Sequence, residues 1–342
     1  MSQYAHCKSL RAADAYLPPL MRLLFLLFLL FLVSSGLASH AAPAPADTLR
    51  PLSPARWLRY TYANDLFFRT DYYFTQGMTG TLVHPALAWL PVRHLLAAGP
   101  RGSTQQHGLT LRYDGFTPLR IQDAFIRVGD RPYAAYLYGS FFRSSTQPVR
   151  QQRLTTALEI GFIGPAAGGK ELQTAIHRVT GNAEPRGWDY QIRNTPIVGY
   201  RVAFEKQLLA IDRHVELLAD AEASLGTLYT YAGTGLHLRA GQFNPYFADE
   251  RNRSARWQLY GEAKLAGRLI GYDATLQGAL FSNDDPYTLP ASAVRRAVLL
   301  SSGGLVLSHG ELSFAANATW VAPEFTGGRA HRWGQLGVTK AF

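Results

Sequence analysis

From Val215 the chain alternates with a period of two. Val215, Leu217, Ala219, Ala221, Ala223 and Leu225 fall on one side, and Glu216, Asp220, Glu222 and Ser224 on the other. A second ribbon repeats the pattern: Trp257, Leu259, Gly261, Ala263, Leu265, Gly267 and Leu269 oppose Arg256, Gln258, Tyr260, Glu262, Lys264 and Arg268. A strand sends successive side chains to opposite faces, so each ribbon carries hydrocarbon on one side and charge on the other. In a soluble sandwich the apolar face is the core. In a membrane barrel it meets lipid, while the charges line the lumen. Length separates the two: soluble strands usually run about five or six residues, whereas a tilted spanning strand needs about 9 to 11, and many segments here reach eleven or more. Gly and Ala are common on the apolar face, which suits lipid contact better than a packed interior.

Strands are expected near residues 56–65, 75–84, 107–115, 132–143, 152–163, 195–206, 213–226, 228–241, 255–271, 294–307, 310–322 and 331–342. Twelve is even, as a bacterial barrel requires. The last strand, with Trp333, Leu336, Val338 and terminal Phe342, resembles the aromatic endings of outer-membrane barrels, although Lys340 stands where an apolar residue is usual. The fold expected is all-β, a twelve-stranded antiparallel transmembrane β-barrel occupying residues 43–342, with a short helix in an outer loop. With the N-terminus in the periplasm, the connections 66–74, 116–131, 164–194, 227, 272–293 and 323–330 fall outside. The connection 85–106 is then a long periplasmic turn, and its apolar run Ala86 to Leu96 has no counterpart in a simple hairpin.

Residues 1–42 read as a secretory signal: Arg22, the eleven-residue apolar run Leu23 to Val33, then small residues with Ala38 or Ala41 as cleavage points. The run falls short of the roughly 20 residues that cross a bilayer as a helix, and Met21 is an alternative start. The single cysteine, Cys7, lies upstream of this run, which excludes a disulfide framework, a thiolate metal site and a cysteine nucleophile from the exported chain. Removing Lys8, Arg11, Arg22 and Asp14 with this segment lowers the net charge from +10 to about +8. Such a surface favours anionic partners, and for an exported chain anionic lipid is a better candidate than nucleic acid.

The stretch YANDLFFRTDYYFTQG, Tyr62 to Gly77, sets Asn64, Asp65, Asp71, Thr75 and Gln76 among large apolar residues. A hairpin brings Asn64, Asp65 and Thr75 to one rim, where their oxygens suit a cation such as Ca²⁺ or the initiation of a turn. The loop Gly161 to Asn194 is far longer than a turn needs, and such loops are disproportionately functional. Lys170 to Thr180 reads as a helix stopped by Gly181, with Leu172, Ile176 and Val179 on one stripe. Gln173 and His177, four apart, share another. The imidazole titrates near working pH, making His177 the natural general base. Glu184 offers a further carboxylate nearby. Arg120, Arg127, Arg131 and Arg178 lie on the same rim and could pair with phosphates, with Arg131 the one expected in a structural ion pair with Asp130.

Together, Asn64-Asp65, Asp71 through Gly77, Phe116-Thr117-Pro118, Asp130 through Ala134, Gly164-Pro165, Gln173 with His177-Arg178, Gly187-Trp188 and Tyr272 through Gly278 resemble the outer-membrane lipid A 3'-O-deacylase family. The resemblance implies an active site at the outer-leaflet end of the barrel and a Ca²⁺-dependent esterase that removes 3'-O-linked acyl chains from lipid A. Carried over by position, the catalytic residues are Asn64, Asp65, Thr75 and His177, with Glu184 as the acidic residue after a one-residue shift. Ca²⁺ is expected on Asp65, Thr75 and Glu184, and substrate on Gln173, Arg120, Arg127 and Arg178. Three departures stand out: an ungapped count puts Ala183 at the acidic position with Glu184 one step later, Asn194-Thr195 replaces an Asn-Glu, and Ala135 replaces a Gly.

Phe67, Phe68, Tyr72 and Tyr73 are expected either to seat acyl chains or to form an interfacial girdle. The expected partners are lipopolysaccharide and the outer membrane, with no nucleic acid, and the barrel is expected to be a monomer. The alternatives are a serine-based phospholipase barrel, for which no serine accompanies the outer motifs, and a porin or structural barrel without catalysis.

Overall fold

The computed structural model describes residues 50–68, 70, 72–248, 255–280 and 284–342. The expected signal segment and Asp71 lie outside the described residues. Twelve strands close into one antiparallel barrel: β1 (Trp57–Asn64), β2 (Tyr73–Val83), β3 (Thr104–Thr117), β4 (Ala134–Gln147), β5 (Gln152–Ile163), β6 (Thr195–Ile211), β7 (Val215–Gly226), β8 (Tyr229–Gln242), β9 (Gln258–Asp273), β10 (Ala297–His309), β11 (Leu312–Val321) and β12 (His331–Ala341). Each strand pairs with its neighbours in sequence, and β1 pairs with β12, so no edge is left open. Every expected strand is present. The differences are at the ends: β3, β4 and β6 run several residues further, with both ends of β3 extended.

The period of two sorts the wall as the alternation required. Leu58, Tyr60, Leu109, Leu111, Ile160, Leu225, Leu265, Leu305, Leu336 and Val338 are exposed on the outside. The opposite face carries cross-strand ion pairs: Arg239 with Glu216 at 2.6 Å, Arg268 with Glu222 at 2.7 Å and Lys264 with Asp220 at 3.0 Å. Lys340 lies on the outside near the chain end and reaches Glu311 of the β10–β11 turn at 2.6 Å. A long basic side chain at that level keeps its charge out of hydrocarbon, which reconciles it with an otherwise apolar ending.

The lumen is filled rather than open. Toward the rim opposite the start of β1 and the end of β12, hereafter the distal rim, Phe74, Phe116, Tyr136, Tyr138, Ile163 and Ile197 form one packed cluster with Tyr229 and Trp333 against it. At the other end, the β8–β9 connection buries Phe243 and Phe247. Tyr246 beside them donates its hydroxyl to Glu205 at 2.5 Å, and Arg153 stacks over its ring. A cavity of ≈ 250 Å³ remains among Glu205, Asp220, His237, Tyr246, Glu262 and Lys264.

The distal connections are tied together by Arg131, which is buried. Its guanidinium pairs with Glu324 at 2.6 Å, donates to Thr275 at 2.6 Å and lies 4.3 Å from the Phe116 ring centroid. This corrects the expected Asp130 partner. Asp130 instead accepts from the Leu119 amide and from Arg127, while its other oxygen takes the backbone N–H of Arg131.

Candidate active site on the outer wall

Register places the Asn-Asp segment. Tyr62 pairs with Met78, Met78 with Tyr113 and Tyr113 with Leu137, a row continuing the lipid-side face of Tyr60 and Leu111. Asn64 and Gln76 are paired on that same face at the distal end. Strict alternation would turn Thr75 the other way. The β2–β3 register shifts between Phe74 and Gln76, and this bulge directs both Thr75 and Gln76 to the side of Gly115, where a Cβ would lie 3.5 Å from Thr75 Cγ2 and 3.6 Å from Gln76 Cγ. Bulges commonly re-aim side chains beside functional sites. Tyr73, just before it, has φ of 68°, a left-handed conformation unusual for a bulky residue.

The expected loop helix, α1 (Gly169–Thr180), is present and stopped by Gly181. It covers this outside patch. Tyr113, Tyr133, Ala135 and Trp188 are buried together, with Met78, Leu137 and Leu172 packed on them. A Cβ on Gly169 would come within 2.6 Å of both Ala135 and Trp188, so glycine here lets the helix approach a wall that carries Ala135. The buried stripe of α1 is Gly169, Gln173 and His177, whereas Val179 of the apolar stripe is exposed. The polar stripe meets the wall, Leu172 packs beside it and Ile176 is half-buried, so only the end of the apolar stripe, at Val179, is turned out.

Three side chains are linked in series. Trp188 Nε1 donates to Gln173 Oε1 at 2.7 Å, and Gln173 Nε2 donates to Thr75 Oγ1 at 3.2 Å. Indole nitrogen is only a donor, so it fixes which end of the Gln173 amide faces Thr75. Thr75 therefore accepts, and its own proton remains available to another group. One turn further along α1, His177 Nδ1 lies 2.6 Å from the Ala183 carbonyl. A carbonyl can only accept, so Nδ1 carries a hydrogen, and in the neutral ring the lone pair is on Nε2. At the hairpin, Asn64 Oδ1 accepts from Leu66 N–H at 2.8 Å, which turns its amide nitrogen to Tyr62 Oη at 3.1 Å and leaves that nitrogen a second hydrogen. Asp65 is buried, and its Oδ2 accepts from the Tyr72 backbone N–H at 3.1 Å.

Thus the wall hairpin and α1 bring Thr75 and Gln173 into contact, with Asn64 and Asp65 on the adjoining strand end and His177 on the same helix face. The other expected site residues, Glu184, Arg120, Arg127 and Arg178, are not hydrogen-bonded to Thr75 or Gln173. Glu184 is exposed in the turn after α1, and the neighbouring Ala183, through its backbone, is what orients His177. Arg127 is engaged by Asp123 at 2.5 Å and Asp130 at 3.3 Å, and Arg120 lies 3.8 Å from Asp123. Arg178 is exposed. Of the aromatics, Tyr73 is buried with Leu276, Leu289 and Phe325 and so cannot seat acyl chains, whereas Phe67 is exposed on the outside. The Trp188 role had a trace in the sequence, the Gly187-Trp188 pair; the bulge had none.

The Asp65 carboxylate and the Thr75 hydroxyl, on paired strand ends, are hard oxygens of the kind Ca²⁺ takes. Among the described residues, no group of three or more His, Cys, Asp or Glu side chains is arranged to hold a metal ion. A cation would therefore rest on the Asp65 carboxylate, the Thr75 hydroxyl and neutral oxygens.

A closed twelve-strand barrel with an apolar exterior, a packed lumen and a buried polar cluster between its outside wall and a loop helix defines an integral outer-membrane protein. The model of the family described as outer membrane protein LpxR matches residues 24–342. The chain belongs to that family, the one its rim motifs resemble, and is a lipid A-modifying protein of the Gram-negative outer membrane. The solved structure of LpxR from Salmonella typhimurium is similar at a TM-score of 0.68 and 21% identity, covering 84% of this chain and 100% of that one. The β domain of the Bordetella autotransporter Brka is similar at 0.42 and 10% identity, covering 84% and 99% respectively. No curated protein matches the chain in sequence.

Proposed function

We propose that this protein is a Ca²⁺-dependent ester hydrolase that removes 3'-O-linked acyl chains from lipid A at the outer leaflet. The observation that carries the reading is the Trp188–Gln173–Thr75 series on the lipid-side wall, with the free Nε2 of His177 on the same helix face. A substrate embedded in the outer leaflet reaches such a site laterally. The packed lumen speaks against the porin alternative, since nothing in ester hydrolysis at the wall needs an open channel.

In this mechanism His177 Nε2 takes a proton from water, which attacks the ester carbonyl; the adduct then expels the sugar oxygen, which receives that proton back from His177, leaving the free fatty acid and the sugar hydroxyl. The second amide hydrogen of Asn64 donates to the developing oxyanion, a contact worth about 3–4 kcal/mol in other hydrolases. Asp65 and Thr75 are the residues that would hold Ca²⁺, with Glu184 as an outlying carboxylate. When bound, the cation supplies a Lewis acid for the carbonyl oxygen. Gln173 fixes Thr75, and exposed Arg120 and Arg178 are positioned for lipid A phosphates more readily than Arg127, whose charge is already engaged. Leu66, Phe67 and Val179, exposed around the site, provide apolar contact for acyl chains.

The test is fatty-acid release from purified lipopolysaccharide. Release that stops with EDTA, returns with Ca²⁺ and is lost in His177→Ala supports the reading. Release that survives His177→Ala assigns the base elsewhere, and no release by folded wild-type protein overturns the hydrolase.

A further inference from the structure

The connection between β2 and β3, residues 84–103, is long for a periplasmic turn, and the candidate active site makes no use of it. It folds as two short 3-10 turns, Pro85–Trp89 and Pro91–Leu95, each opened by proline. Register shows where it lies. His107 and Gln105 share the lipid-side face with Leu109 and Leu111, and their partners Arg143 and Ser145 continue it. The segment docks on these residues. Arg143 donates to the carbonyls of Leu96 and Arg93, both at 3.0 Å, and Ser145 Oγ accepts from Gly99 N–H at 2.9 Å. Thr156 donates to the Ala97 carbonyl at 2.9 Å, and the Ala97 N–H donates to Tyr200 Oη at 3.0 Å.

The outside wall is therefore polar at this level, and the segment buries it. Gln105, His107, Ser145 and Thr156 are all buried, as are Leu96 and Ala88 of the segment itself. In exchange the segment presents Trp89, 81% exposed, Leu95, 64% exposed, and Leu90. Arg93, His94 and Arg101 accompany them, and residues 84–103 contain no Asp or Glu. Tryptophan with leucine at one level and basic groups beside them is the composition of an interfacial anchor, and the positive charge complements anionic headgroups.

We propose that residues 84–103 are an in-plane anchor that seats Trp89 and Leu95 among the phospholipids of the inner leaflet, with anionic headgroups as the preferred contact. The anchor fixes the depth of the barrel from the end opposite the candidate active site. It is independent of the catalytic reading.

Cysteine labelling of the full chain tests it. In a Cys7→Ser background, Leu95→Cys and, as a control at the 94%-exposed β4–β5 turn, Val149→Cys are labelled with bimane. Each is reconstituted into vesicles of phosphatidylcholine alone or mixed with phosphatidylglycerol. The expected result is loss of most Leu95→Cys label fluorescence to lipids spin-labelled near the headgroup, with little quenching by aqueous iodide. The Val149→Cys label shows the opposite, and phosphatidylglycerol deepens the lipid quenching at Leu95→Cys. Iodide quenching of both labels alike overturns the proposal in favour of a surface left for a periplasmic protein. Spin-spin coupling between nitroxide-labelled Leu95→Cys copies overturns it in favour of a second copy of this chain. A Trp89→Cys label serves the same test should Leu95→Cys fail to fold.

Discussion

Gln173 donates to Thr75 at 3.2 Å across 98 residues of chain, joining the loop helix to the bulge in β2. Thr75 receives a hydrogen bond there rather than giving one because Trp188 already occupies the Gln173 carbonyl. Trp188→Phe keeps the packing and removes that donor. A buried acceptor left unsatisfied costs about 1–3 kcal/mol of stability, and with the Gln173 amide no longer held in one orientation against Thr75, kcat for ester cleavage is expected to fall roughly tenfold while the folded barrel persists. The check is a kinetic comparison with wild type, alongside the gel shift that reports a folded barrel.

His177→Ala removes the proposed base, whose Nδ1 is tied to the Ala183 carbonyl so that Nε2 is left to act. General base contributions run to about 10²–10⁴-fold, and a loss of that size in fatty-acid release is expected. Ala183→Pro leaves the carbonyl in place and is not diagnostic, whereas His177→Gln, which cannot act as a base, matches His177→Ala.

The two candidate carboxylates should behave differently. Asp65 is buried at the hairpin and Glu184 is exposed beyond α1. Asp65→Asn is expected to raise the Ca²⁺ concentration needed for half-maximal release at least tenfold, and Glu184→Gln to change it much less. Titration of Ca²⁺ into EDTA-stripped protein distinguishes them.

The Arg131–Glu324 pair clamps the distal connections. Arg131 is buried but Glu324 only partly so, and removing the guanidinium therefore costs less than the about 3–5 kcal/mol of a fully buried pair, yet Arg131→Met still lowers the denaturation temperature of the barrel. Burial pushes the Glu324 carboxyl up, but Arg131 and His331 outweigh it, and the net displacement is below the ordinary 4.5. A carboxyl depressed on folding stabilises fully above its unfolded value and loses that contribution as pH falls through the folded one. Thermal melts should hold steady down to about pH 5 and drop below pH 4.5, with Glu324→Gln flattening the drop.

The barrel was legible because each strand carries its own record: alternation in Val215–Leu225 or Trp257–Leu269 names both the element and its two faces. The helix was legible for the same local reason, with Gly181 as its stop. What escaped reading depends on relations between strands. A single-residue register shift turns Thr75 outward, and alternation within β2 alone predicts the opposite. Arg131 finds Glu324, 193 residues away, rather than its neighbour Asp130. The 84–103 segment reads as an apolar turn until the polar residues beneath it, from strands β3 to β6, are seen on the lipid side of the wall.

The most direct measurement of the central claim is the mass spectrum of lipid A from Gram-negative cells that produce this chain, compared with cells producing His177→Ala at the same level in the outer membrane. Lipid A lighter by the 3'-linked acyl chains with the wild-type chain, and of full mass with the variant, is the predicted result. Full-mass lipid A in both, with wild-type barrel folded in the membrane and Ca²⁺ present, would contradict it.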